Sequence, residues 1–261
     1  MINDRNEKNA PSNEERERDN DIIFGRNPVA EAIKSGRPLI SVLVAKGERS
    51  GSIPKILADA RKTDAVIKEV DRKKLDFICG HNNHQGIAAY VAVKDYSTVE
   101  DIFNTAKERN EQPFIIICDE IEDPHNLGAI IRTAEAAGAH GIIIPKRRNA
   151  SLSYTVAKTS AGAVEFMHVA RVTNIPRAID ELKERGVWIY CADMDGVSAE
   201  SVDLKGAVGL VVGSEGNGVK RLVKEKCDGS ISLPMKGKIN SLNASVAAGI
   251  LMYEVLRQRE N

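Results

Sequence analysis

Four continuous apolar runs dominate the second half of the chain: Phe114-Ile115-Ile116-Ile117-Cys118, Gly141-Ile142-Ile143-Ile144, Val187-Trp188-Ile189-Tyr190-Cys191 and Val208-Gly209-Leu210-Val211-Val212. A strand exposed on one face alternates apolar and polar residues, whereas these runs do not alternate. Separated by helical stretches, they predict a parallel sheet covered by helices on both faces. Such sheets bind ligands at the carboxyl ends of their strands, so the turns after these runs are the first place to seek function.

The first half reads differently. Residues 1 to 20 have almost nothing apolar after Ile2 and are expected to form a disordered tail. From Phe24 a compact α/β unit is predicted: helix Pro28 to Lys34, strand Leu39 to Ala45, helix Ile53 to Arg61, strand Ala65 to Val70, helix Arg72 to Ile78 and strand Ile87 to Val93. A polar amphipathic helix from Val99 to Arg109 leads into the second unit. The expected division is a tail at 1–20, a small domain at 21–95, a linker and helix at 96–112, and the large α/β domain at 113–261.

Lys plus Arg and Asp plus Glu number 37 each, so any nucleic-acid footprint must be a local patch. Cys79, Cys118, Cys191 and Cys227 lack the close pairs of zinc sites and read as reduced thiols; Cys79, His81 and His84 lack a fourth ligand, so no metal is expected. There is neither a membrane-length apolar stretch nor a signal-peptide core, which leads us to expect a cytoplasmic protein.

Three turns carry the chemistry. In the first, Asp123-Pro124-His125-Asn126 leads into a helix read as Leu127 to Ala137, which Asn126 caps or precedes. Arg132, within that helix, is either a surface residue or a cation awaiting an anionic partner such as a nucleic-acid phosphate. In the second, Gly213 to Gly218 has the form G-x-x-G-x-G, which matches neither the dinucleotide fingerprint nor a P-loop. It is either a tight turn or a place where backbone approaches a ligand, and Glu215 within it is expected to cap the next helix. In the third, Ser241-Leu242-Asn243-Ala244-Ser245 opens a small-residue helix with Ser241 as the expected N-cap. The acidic group Asp119, Glu120, Glu122 and Asp123 is read as a solvated loop.

Taken in this order and spacing, Asn126 to Arg132, Gly213 to Gly218, Ile231 to Met235 and Ser241 to Ser245 resemble the SpoU/TrmH family of RNA ribose methyltransferases, in the SPOUT superfamily. The resemblance spans roughly residues 24 to 258. It implies a deep trefoil knot in the C-terminal domain, a homodimer and S-adenosylmethionine as methyl donor. It also implies a catalytic set at Asn126, Arg132, Glu215, Ser241 and Asn243, and a cofactor cradle at Gly213, Gly216, Leu233, Met235 and Leu242.

Phe24-Gly25-Arg26-Asn27-Pro28-Val29 and His84-Gln85-Gly86-Ile87 resemble the ribosomal-protein-like RNA-binding domain of the RlmB-type large-subunit rRNA guanosine 2'-O-methyltransferases. On that resemblance Arg26, Asn27, His84 and Gln85 are candidate RNA contacts, and a guanosine in the peptidyl-transferase region of 23S rRNA is the expected target. Methylation of tRNA, or a non-catalytic role in ribosome assembly, are the alternatives.

Overall fold

The computed structural model describes residues 22–34, 36–63, 65–80, 83–92, 94–238 and 241–261. The expectations for the tail at 1–20 and for His81 fall outside them. The chain divides into two compact units, one extending to Asp95 and including Leu152–Thr155, the other comprising Tyr96–Ser151 and Val156–Asn261.

The first unit has strands β1 (Ile22–Phe24), β2 (Leu39–Ala45), β3 (Val66–Val70) and β4 (Ile87–Val91), and helices α1 (Arg26–Lys34), α2 (Ile53–Ala60) and α3 (Arg72–Ile78). The sheet order is β1-β4-β2-β3, with β2 and β3 parallel and β4 antiparallel to both β1 and β2. The two-residue period of β2 builds two cores. Val42 and Val44 face Val29 of α1 and Ile53 and Ile56 of α2, while Leu43 and Ala45 face Leu75 of α3 and Cys79. This connectivity places the loops after β1, β2 and β3 and the loop before β4 at one end of the sheet.

The second unit holds strands β5 (Phe114–Asp119), β6 (Gly141–Pro145), β7 (His168–Val172), β8 (Trp188–Ser198), β9 (Val208–Gly213) and β10 (Gly229–Ser232). Its helices are α4 (Val99–Glu108), α5 (Pro124–Ala136), α6 (Tyr154–Thr159, at the division), α7 (Ile175–Glu184), α8 (Arg221–Lys224) and α9 (Ala244–Glu260). All six strands are parallel, in the order β10-β8-β9-β5-β6-β7. Ile115 and Ile117 pack with Ile143, Ile189 and Val211 beneath α4 and α7. The alternate residues are buried on the other face, where α9 lies against β9 and α5. The parallel sheet inferred from the apolar runs is therefore present. Among the described residues, no helix is long and apolar enough to cross a membrane.

The C-terminus is fastened to the start of β5. Arg259 donates from Nη1 to the Gln112 carbonyl at 3.0 Å and from Nη2 to Pro113 at 3.1 Å and Gly206 at 2.7 Å. Its guanidinium lies over the Phe114 ring, 5.3 Å from the centroid.

Candidate active site

The predicted turns meet at the carboxyl end of the second sheet. Helix α5 begins earlier than its apolar periodicity indicated, because Pro124 takes the first helical position and Asp123 is the cap, accepting the His125 N–H at 2.8 Å. Asn126 is thus neither the cap nor ahead of the helix. It sits in the first turn, 7% exposed.

The expectation for Ser241 is corrected too. Helix α9 is capped by Asn243, whose Oδ1 accepts from Ser245 N at 3.0 Å, Val246 N at 3.2 Å and Ser245 Oγ at 2.6 Å. That leaves the Asn243 amide nitrogen pointing away from the helix. It donates to Asn126 Oδ1 at 2.9 Å and to the carboxylate of Glu215. Asn126 Nδ2 donates to the same Glu215 oxygen at 3.0 Å. Glu215 therefore caps no helix of its own loop, since α8 starts only at Arg221.

Three segments that are distant in sequence are thus tied at one carboxylate. Asn126 lies in the first turn of α5 and Asn243 caps α9, so the positive ends of both helices converge on Glu215. The helices then run side by side in the same direction. A Cβ on Gly249, six residues beyond Asn243, would lie 3.5 Å from Cγ2 of Thr133, seven residues beyond Asn126.

Beside this cluster is a cleft of about 320 Å³, lined by Glu120 to Asp123, Asn126 and Ser214 to Asn217. It contains the carboxylates Glu120, Glu122, Asp123 and Glu215 and no lysine or arginine. The acidic group is therefore more than a solvated loop. Asp119 is 3% exposed and accepts the Lys220 N–H at 2.8 Å; burial raises its pKa against that hydrogen bond. Glu120, in a left-handed conformation at φ 61°, pairs with Lys220 Nζ at 2.5 Å and with Arg148 at 3.5 Å. These contacts hold the Gly213–Gly218 loop against the Glu120–Asp123 loop and so set the width of the cleft. A buried-type strand ending in Asp was the sequence signal for this anchor.

The two glycines named in the second turn differ. A Cβ on Gly213 would lie 2.0 Å from the carbonyl carbon of Gly218, so the loop folding back over itself requires glycine there. At Gly216 nothing lies within 4 Å of a Cβ, and its backbone is open to a ligand. Met235 and Leu242 are each 39% exposed, and Leu233 is partly buried.

Not every predicted residue joins the cluster. Arg132 is exposed and has no ion pair among the described residues, and Ser241 is exposed with no side-chain partner among them. In the first unit, Arg26 and His84 are engaged internally. The Arg26 backbone N–H donates to Gln85 Oε1 at 3.1 Å, its Nε to the Gln85 carbonyl at 3.2 Å and its Nη2 to Ser50 Oγ at 2.9 Å. His84 is 3% exposed, accepting the Gly86 N–H at Nδ1 (3.0 Å) and donating from Nε2 to Asp76 (2.8 Å). Asn27 and Gln85 are exposed. Among the described residues, no group of three His, Cys, Asp and Glu is placed to hold a metal.

The SpoU rRNA Methylase family model matches residues 113–253, the part of the chain that contains all three turns. The chain belongs to the SpoU rRNA methylase family. A second model, for the substrate-binding domain of RNA 2'-O ribose methyltransferases, matches residues 22–97. YacO of Bacillus subtilis, named for the TrmH family of tRNA/rRNA methyltransferases, is 51% identical over 92% of this chain and 96% of its own length. A relative of the same family name in Staphylococcus aureus is 43% identical over 92% of this chain and 97% of its own.

Among solved structures, the SpoU methyltransferase AviRb of Streptomyces viridochromogenes, in complex with AdoMet, shares the fold. Its TM-score is 0.59 and its identity 24%, with 92% of this chain and 90% of that one covered. The TrmH/SpoU tRNA modifying enzyme of A. aeolicus matches at a TM-score of 0.53 and 30% identity, over 61% of this chain and 84% of its own. The protein is an RNA methyltransferase of the SpoU/TrmH family, whose methyl donor is S-adenosylmethionine.

Proposed function

We propose that this chain methylates a ribose 2'-hydroxyl of RNA, with a guanosine of 23S rRNA as the target, and that the reaction is organised around Glu215. The observation that carries this reading is the convergence of Asn126 and Asn243 on one carboxylate beside a cleft without cations. Such a lining suits hydroxyls and a positively charged sulfonium better than a phosphate-rich nucleotide. The residues present fit the donor: Gly216 supplies open backbone, Gly213 lets the loop fold back on itself, and Leu233, Met235 and Leu242 supply apolar surface.

S-adenosylmethionine supplies an already activated methyl on sulfur. A ribose hydroxyl is a weak nucleophile, so the work left to the protein is to hold the oxygen in line and to manage its proton. Asn126 and Asn243 orient the ribose and hold Glu215 in place. Arg132 is assigned to an RNA phosphate and to the charge developing on the attacking oxygen. Ser241, exposed two residues before Asn243, is assigned to the substrate side of that turn. Asn27 and Gln85 contact RNA, with Arg26 and His84 holding the loops that carry them.

The same reading includes a knotted C-terminal crossing and a homodimer. Val246, Ile250 and Tyr253 lie one turn apart on α9 and are each about half exposed, a stripe facing away from the core residues Ala248, Leu251 and Val255. A second copy of this chain would cover it.

The experiment is transfer of labelled methyl from S-adenosylmethionine to transcribed 23S rRNA and to tRNA by the full chain and by Arg132→Ala. The expected result is labelling of the rRNA by the natural protein, and loss of transfer with retained cofactor binding in the variant. Labelling of tRNA alone would replace the substrate, and near-normal turnover of Arg132→Ala would return that residue to the surface.

A further inference from the structure

The first unit contains a cavity of about 300 Å³ at the carboxyl ends of the parallel strands β2 and β3, the end of the sheet where α/β folds place ligands. Its floor is apolar: Val44 and Ala45 end β2, and Ile53, Pro54 and Leu57 come from the facing side of α2. Arg49 precedes that helix and Arg61 is its C-cap, and both line the cavity. Both are exposed, and neither has an ion-pair partner among the described residues.

Two carboxylates also line the cavity, in different states. Glu48 is occupied, bonded to Ser50 and paired with Arg26 at 3.6 Å and Arg72 at 3.4 Å. Those contacts, the Ser50 hydrogen bond foremost, hold its pKa below the usual carboxylate value. Glu69, on the edge strand β3, is exposed and has no partner among the described residues.

We propose that this cavity receives one unpaired nucleotide of an RNA strand, its base against Pro54 and Leu57 and its flanking phosphates on Arg49 and Arg61. Glu69 accepts a hydrogen bond from an amino-bearing base edge, that of cytosine, adenine or guanine but not uracil. The inference rests on the RNA-modifying reading above. Apolar walls with a few polar groups favour a flat base, the volume admits one nucleotide rather than a duplex, and sequence-selective RNA recognition takes unpaired bases. A carboxylate reads cytosine N4, whereas uracil offers an oxygen there and is repelled. The two arginines provide the phosphate contacts that a chain of zero net charge must supply locally.

The test uses the full chain, with twelve-residue oligocytidylate and oligouridylate as probes, followed by fluorescence anisotropy from 50 to 200 mM salt. The natural protein is expected to prefer oligocytidylate. The double variant Arg49→Ala with Arg61→Ala should bind both probes about tenfold more weakly or worse, as for loss of charge-assisted contacts. Its salt slope should fall by roughly 1.4, the single-strand value for two phosphates. Glu69→Gln should lose most of the cytidine preference and keep the slope.

Arg37→Ala removes an exposed arginine at the other end of β2, about 20 Å away along the strand, and should change neither quantity. All these side chains are exposed, so melting temperatures should stay within a degree or two of the natural protein. Natural affinity and slope in the double variant, or an unchanged base preference in Glu69→Gln, would overturn the proposal. So would cytidine 5'-monophosphate binding as tightly as the oligomer, because the site would then be one for free nucleotides. If the oligonucleotide results hold while no RNA accepts methyl, the functional reading fails and the cavity assignment stands. If methyl transfer holds and the variants bind like the natural protein, the reverse is true.

Discussion

Asn243 and Asn126 lie 117 positions apart, and the amide nitrogen of Asn243 donates to the amide oxygen of Asn126 across 2.9 Å. The same Asn243 caps α9 through its other side-chain atom, so one residue both starts a helix and joins it to the first turn of α5. Asparagine accepts from the helix at one side-chain atom and donates from another, so the two roles fall on separate atoms and point in different directions, which a single serine or threonine hydroxyl does not allow.

That double role separates two substitutions. Asn243→Asp keeps the cap but sets a second carboxylate beside Glu215, and should leave the melting temperature within a few degrees while lowering methyl transfer by about 10²-fold or more. Asn243→Ala loses the cap and should destabilise by about 1 kcal/mol as well. Thermal denaturation and initial rates on the same preparations compare them.

Gly213→Ala and Gly216→Ala should diverge. The first drives a Cβ into the backbone of Gly218 and should lower the melting temperature clearly. The second meets nothing within 4 Å and should unfold like the natural protein, while calorimetry shows weaker S-adenosylmethionine binding if that backbone faces the cofactor.

His140 predicts a pH dependence of stability. The buried ring accepts the Phe114 N–H at Nδ1 (2.9 Å) and donates from Nε2 to Glu111 (3.0 Å), so protonating Nδ1 would break the bond to Phe114. Burial lowers its pKa, and Glu111 opposes this only in part. Below the unfolded value of about 6.5 the unfolded chain binds the extra proton and the folded chain resists it. This contribution is thus complete above about pH 6.5 and is lost as pH falls. The melting temperature should drop from pH 7.5 to 5, and His140→Gln, which can keep both hydrogen bonds, should flatten that dependence.

The α9 stripe predicts an association state. Ile250→Asp places a charge in the centre of Val246, Ile250 and Tyr253 and should give a monomer of unchanged circular dichroism by sedimentation at micromolar concentration. A natural chain that is itself monomeric at high concentration would remove the dimer from the proposal.

The parallel sheet was legible because buried strands leave continuous apolar runs, and all three turns were legible as breaks after or between them. What the sequence did not show follows from contacts made at long range. Ser241 and Asn243 are both good capping residues, and only the third partner, Asn126, decides between them. Helix periodicity begins at Leu127 because the first turn of α5 faces a cleft rather than the core, which hid the true start at Pro124. Asp119 looked like one more loop acid, yet it is buried because Lys220, 101 positions later, brings its N–H to it. Strand β7, His168–Val172, was missed because as an edge strand it carries polar residues amid its apolar ones.

The position of the methyl group decides what this enzyme does. Mapping ribose methylation across rRNA and tRNA, from cells with this chain, cells without it and cells carrying Arg132→Ala, tests it directly. The expected result is one 2'-O-methylated guanosine in 23S rRNA, present only with the natural chain. Identical ribose methylation in all three, or a chain-dependent mark on a base instead of a ribose, would contradict it.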